Sequence, residues 1–336
     1  MSKIIIGIHG LGNKPPRRLL KKWWKKAIRE GFDNIDRPRK FFRFKLVYWA
    51  HYLHPKPLDP GIKDKKDPLY VEYPYLPGDN ERRKKPSRLR RKVLDYLEKQ
   101  MDKIFLNDDY TINFSAISDM IIHRYFKDLE IYFSSAPYDA TKPDVLVKDV
   151  IRNELIRILK KYRRKEILLI GHSMGSIIAY DVLNSSNTAR LKVHTFVTIG
   201  SPLGLPVVIS KIVPQDSIVP GKETEVRAPE NVYNKWYNLS DLEDRVAIDY
   251  NLAGDYAPNS HNVMVEDSIV VNDYERDGNR NPHKSYGYLR TPELAEVLDA
   301  FLDHGRSKLH IRALKFINRI FSFKLPKIQI KIDRKQ

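Results

Sequence analysis

Apolar and polar positions along this chain follow two periods in alternation. Ile4-Ile5-Ile6-Gly7-Ile8 is a short apolar run with no polar alternation, and it predicts a buried parallel strand over 3–8. Over 17–30 the period becomes helical. Leu19, Leu20, Trp23, Trp24, Ala27 and Ile28 share one side, and Arg17, Arg18, Lys21, Lys22, Lys25, Lys26 and Arg29 the other. Residues 42–50 turn apolar through Leu46-Val47-Tyr48-Trp49-Ala50 and predict a second core strand. An amphipathic helix is expected over 144–162, a buried strand over 167–170, and a helix carrying Ile177, Ile178, Ala179, Val182 and Leu183. Strands follow at 193–199 and 236–239, separated by a Pro-rich loop over 204–230. A final helix opens at Thr291-Pro292-Glu293, with Thr as N-cap and Pro at the first position, and continues through Leu294, Val297, Leu298, Phe301 and Leu302. Strands alternating with helices predict an α/β domain with a mostly parallel sheet flanked by helices.

Two segments stand outside this alternation. Residues 51–140 are expected to form a cap over the site: an irregular Pro-, Asp- and Lys-rich loop over 54–87, then helices over 88–106 and 117–133. Residues 306–336 hold ten Lys and Arg against one carboxylate, Asp333. On a helix, Lys308, Arg312, Lys315 and Arg319 fall on a stripe beside the apolar Leu309, Ala313, Phe316, Ile317 and Ile320. The expected organisation is one domain over 1–305 with the cap inserted, then a basic amphipathic tail. That tail either lies on an anionic lipid surface or packs its apolar face on the core.

Composition narrows the picture. A hydrophobic fraction of 42% in 336 residues suffices for a large core, and no apolar run approaches the length of a membrane span. The first apolar run is too short for a signal peptide. The absence of cysteine removes disulfides, thiolate catalysis and cysteine-held metals, and suits a reducing compartment. The expected location is the cytoplasm, peripheral at a membrane if the tail binds lipid. The net charge of +18 points to an anionic partner surface, but no nucleic-acid module signature accompanies it. Asp273, Glu275, Asp277 and Gly278 resemble a calcium loop only until its last position, where Lys284 stands in place of the required Glu. Neither metal nor cofactor is expected.

The chemistry gathers around Gly171-His172-Ser173-Met174-Gly175. A G-x-S-x-G between a strand and a helix is the context in which a serine projects above a sheet edge from a strained turn. Small residues are needed on both sides of it, and the helix N-terminus favours negative charge nearby. His9-Gly10-Leu11-Gly12 follows the first strand, where a hydrolase places one oxyanion-binding amide. The candidate donors are the N–H groups of Leu11 and Met174. Losing one such donor typically costs about 3–4 kcal/mol of the barrier.

A serine hydroxyl needs a base, and the base an orienting acid, in the chain order Ser, acid, His. The acid belongs just after a strand that follows the elbow. Asp244 fills that slot, with Asp241 as runner-up. The base belongs in a loop before the last helix. His283 fills that position, with His261 as competitor.

Gly171-His-Ser-Met-Gly-Ser, followed by Ile-Ile-Ala-Tyr-Asp-Val-Leu, resembles the elbow of α/β-hydrolase lipases and esterases. The likeness is nearest to intracellular phospholipases of the DDHD-domain type. Asp244-Arg-Val-Ala is similar to their Asp-Pro-Val-Ala segment, with Arg245 in place of Pro, and His283-Lys-Ser-Tyr to their His-x-Ser-Tyr. The resemblance implies a serine hydrolase acting on carboxylic esters and does not fix the substrate; lipid or another apolar acyl ester is the expected one. An acyltransferase or thioesterase of the same fold is the alternative within the class. A non-catalytic basic module that binds membrane or nucleic acid is the alternative outside it.

Overall fold

The computed structural model describes residues 2–78, 129–134, 136–139, 141–212, 226–247 and 249–307. Its centre is a six-stranded sheet in which every neighbouring pair runs parallel. In chain order the strands are β1 (Lys3–Ile8), β2 (Phe44–Val47), β3 (Glu166–His172), β4 (Val193–Ile199), β5 (Val232–Ser240) and β6 (Val265–Ile269). Their order across the sheet is β6-β5-β4-β3-β1-β2. β1 and β3 are therefore adjacent, with Ile8 level with Gly171, so the turns leaving these two strands emerge side by side.

All six residues of β1 and all seven of β4 are buried, as expected for strands covered on both faces of a parallel sheet, and the polar Lys3, His194, Thr195 and Thr198 are buried with them. One face is covered by α1 (Arg17–Asn34), α5 (Ser285–Leu289) and α6 (Pro292–Asp303), which pack with Ile5, Leu46, Leu168, Val197 and Leu239. The other is covered by α2 (Val147–Tyr162), α3 (Met174–Leu183) and α4 (Pro206–Ile212), with Ile6, Val47, Leu169, Phe196 and Trp236 beneath them. α6 begins where its cap residues predict, Thr291 Oγ1 accepting the N–H of Leu294.

Several boundaries differ from the sequence expectation. β2 ends at Val47; Tyr48 and Trp49 lead into a short 3-10 turn at Ala50–Tyr52. α2 starts at Val147, because 142–146 pairs with 137–139 as a hairpin. The 204–230 stretch is not all loop. Pro206 opens α4, a position where its missing N–H costs nothing, and Val207 and Val208 are buried.

Of the expected cap, residues 54–78 are irregular as anticipated and lie along α1 and the chain around His283. Tyr274 donates from its hydroxyl to the Pro74 carbonyl at 2.6 Å, Arg290 Nη1 to that of Leu76 at 2.6 Å, and Tyr75 to Glu30 Oε2 at 2.8 Å. Side chains thus satisfy carbonyls that no strand partner reaches. Residues 129–133 are helical, and Tyr132 reaches Asp181 of α3 at 2.8 Å. The helix expected at 88–106, most of the one at 117–133, and the tail from 308 onward lie outside the described residues. Among the described residues no helix is long and apolar enough to cross a membrane.

Candidate active site

Ser173 sits between β3 and α3 with φ 55 and ψ −130, one of four non-glycine residues with positive φ among the described residues. That conformation is costly for a residue bearing a side chain. The neighbouring glycines make it possible. A Cβ on Gly171 would lie 2.6 Å from Ser176 Cα, and one on Gly175 would lie 2.5 Å from the Ile8 carbonyl oxygen. The turn is closed by its own hydrogen bonds: Ser176 N–H and Oγ–H both donate to the Ser173 carbonyl, at 2.8 and 2.6 Å, and Ser176 Oγ meets Ser201 Oγ at 2.7 Å.

Asp244 and His283 come from the two loops that follow β5 and β6. His283 Nδ1 lies 2.9 Å from both carboxylate oxygens of Asp244, and its Nε2 lies 2.9 Å from Ser173 Oγ. A carboxylate can only accept, so Nδ1 carries the proton and Nε2 is free to accept one from the serine hydroxyl. The Asp244 side chain is fully buried. Its oxygens also accept the N–H of Val246 at 2.9 Å and the hydroxyl of Tyr288 at 2.8 Å. A serine, a base and a buried orienting acid in such a row can activate the hydroxyl for attack on an acyl carbon.

The runners-up lie elsewhere. Asp241 accepts the N–H groups of Glu243 at 2.7 Å and Asn272 at 2.6 Å, and faces Arg280 at 3.7 Å. It fastens the ends of β5 and β6 together, and burial raises its pKa. His261 is exposed in the turn after Asn259, whose side chain accepts its N–H.

The His9–Gly12 turn packs directly on the elbow: a Cβ on Gly10 would stand 2.7 Å from Ser173 Cβ. His9 is buried, stacked on Trp49 with ring centroids 5.0 Å apart. Its Nδ1–H donates to the Gly10 carbonyl at 2.8 Å, and its Nε2 accepts the N–H of Trp49 at 3.2 Å. Burial, then the nearby Lys14 charge, holds the His9 pKa well below 6.5, so the ring is neutral. The Gly10 carbonyl and the Leu11 N–H belong to one trans peptide. Fixing the carbonyl toward His9 turns the N–H away from it. Lys14 Nζ holds the next carbonyl, that of Leu11. Met174 opens α3, so its N–H is a first-turn group without an intrahelical partner.

Residues 143–215, the segment carrying α2, β3, the Ser173 turn, α3 and β4, match the model of a family described as a PGAP1-like alpha/beta domain. With the all-parallel sheet and its flanking helices, that match decides the architecture. The chain has an α/β-hydrolase fold. Among curated proteins no sequence matches it. In a hydrolase fold of this lipase- and esterase-like type, the parallel run of all six strands brings the exits of β1, β3, β5 and β6 to one end of the sheet. Leu11, Ser173, Asp244 and His283 all lie on those exits.

Two residues at this site escape sequence reading. Tyr288 lies within the His283–Tyr286 motif's own helix, but its hydroxyl is defined by Asp244, 44 positions away. His172 precedes the serine, yet its partner is the carbonyl of His283, 111 positions away at 2.8 Å. The spacing His283-x-x-x-x-Tyr288 at the start of a helix was the available signal for Tyr288. For His172 there was none.

Proposed function

We propose that this protein is a serine hydrolase that cleaves carboxylic esters by way of an acyl-enzyme. Ser173 Oγ attacks the acyl carbon while His283 Nε2 takes its proton. The resulting imidazolium is stabilised by Asp244, and it returns the proton to the leaving alkoxide. Water then repeats the sequence on the acyl-enzyme, releasing the acid and regenerating Ser173. The N–H groups of Leu11 and Met174 hold the oxyanion in both halves. The observation that carries this reading is the unbroken row Ser173 Oγ–His283–Asp244, each link at 2.9 Å.

Lipid or another apolar acyl ester is the substrate class we favour. Supporting it, Leu11, Leu53 and Ile209, on the segments that follow β1, β2 and β4, are partly buried apolar residues packed on the core. Of the expected cap, the chain around Tyr73, Pro74 and Leu76 lies along the His283 loop, and Lys284 Nζ stands 5.0 Å from the Tyr73 ring centre. The basic tail of 306–336 is read as a contact for an anionic lipid surface. Turnover of esters of increasing acyl length, by wild type and Ser173→Ala, tests the first point. Activity independent of Ser173 would overturn it. Co-sedimentation of full-length protein and residues 1–305 with anionic vesicles tests the second, and equal pelleting of the two would overturn it.

A further inference from the structure

The loop that carries His283 is held by its carbonyls. Asn272, fully buried at the exit of β6, donates from Nδ2 to the carbonyls of Pro282 at 2.6 Å and Lys284 at 2.9 Å. The carbonyl between them, that of His283 itself, accepts from His172 Nε2 at 2.8 Å. A carbonyl only accepts, so His172 carries its proton on Nε2. Three consecutive carbonyls are therefore fixed, the outer two from β6 and the central one from the nucleophile strand.

His172 is buried, at 8% exposure, and its ring centre stands 5.0 Å from that of His283 and 6.4 Å from that of Tyr288. On its other edge, a Cβ added to Gly10 would sit 3.1 Å from Nδ1. One imidazole thus fills the space between the oxyanion turn, the base and the residue that orients the acid. Being bonded to Ser173 through the chain, it references the backbone of the base to that of the nucleophile. A movement of the His283 loop that opened the Ser173–His283 link would also have to break the His172 hydrogen bond.

We infer that His172 is a positioning residue, whose Nε2–H sets the distance between Ser173 and His283 by anchoring the His283 carbonyl to the elbow. This rests on the serine-hydrolase reading above. Its chemistry needs a neutral donor, because His283 becomes a cation during acyl transfer and a second charge beside it would oppose that step. Burial, then the adjacent His283, keeps the His172 pKa well below 6.5, which meets the requirement.

The test uses full-length protein with three substitutions. The amide of Gln can replace the Nε2 donor of histidine; that of Asn is too short to reach, and Leu has no donor. Wild-type dependence of hydrolysis on Ser173 is established first, which checks the underlying reading separately. With a short-chain p-nitrophenyl ester, His172→Leu and His172→Asn are expected to lower kcat on the order of 100-fold with KM little changed, the loss typical of a misplaced catalytic group. His172→Gln is expected to recover most of it. Folding is followed by circular dichroism, and either Leu or Asn suffices if the other does not fold. If Gln is as slow as Leu and Asn, the residue matters only for packing. If all three match wild type, the anchor has no role. Either result overturns the inference.

Discussion

The hydroxyl of Tyr288 grips the turn after β5 at two points, donating to Asp244 Oδ2 at 2.8 Å while accepting the N–H of Asp241 at 2.9 Å. Both partners are buried, and burial raises the phenol's pKa well above 10, so it remains a donor throughout the accessible range. Tyr288→Phe removes the bond to Asp244 and leaves a buried N–H unpaired. We expect a stability loss of about 1–3 kcal/mol in urea unfolding, and a fall in kcat larger than any change in KM.

Asp244 meets the His283 ring while Asp241 fastens the ends of β5 and β6, and in the proposed mechanism the same substitution should distinguish them. Asp244→Asn is expected to lower kcat by about 10⁴-fold with the fold intact, because the imidazole loses its tautomer and its orientation. Asp241→Asn disturbs the bonds to Asn272 and Arg280. It should lower the unfolding midpoint while leaving kcat within about tenfold of wild type. Steady-state kinetics and urea curves on the two variants check both.

Much of this site is legible in the sequence because its parts are local. Gly171 and Gly175 bracket Ser173 at fixed spacing, and the structure shows what each avoids, the helix backbone in one case and the β1 carbonyl in the other. Asp244 and His283 were placed by order and by the strand or helix beside them. The contributions of His172 and Asn272 are not legible, and that of Tyr288 only as a spacing from His283, since each acts on a residue brought near only by the fold. The α4 helix was hidden by the prolines around it, although Pro206 followed by Val207, Val208 and Ile209 is an ordinary helix opening.

His9 should act through a single peptide. His9→Asn keeps a donor near the Nδ1 position and His9→Leu does not. The Leu variant should lose on the order of 100-fold in kcat, the effect of a lost oxyanion donor, and the Asn variant markedly less. Gly10→Ala should be inactive, because its Cβ would press on that of Ser173 at 2.7 Å.

Stability should fall in mild acid. His9 and His172 are buried with pKa values well below 6.5, so between those values and 6.5 the unfolded chain binds protons that the folded one refuses. Their neutral burial costs nothing above pH 6.5. As pH drops below it, each group removes up to about 1.4 kcal/mol per pH unit. Urea midpoints measured from pH 7.5 to 5 should decline, and His9→Asn or His172→Gln should each flatten the decline. A midpoint independent of pH across this range would contradict neutral burial.

The most direct test of the account is reaction with a fluorophosphonate followed by mass spectrometry of the intact protein and its peptides. One adduct per chain is expected, carried by the peptide containing Ser173, and none in Ser173→Ala. An unmodified wild type, or an adduct that persists in Ser173→Ala, would contradict it.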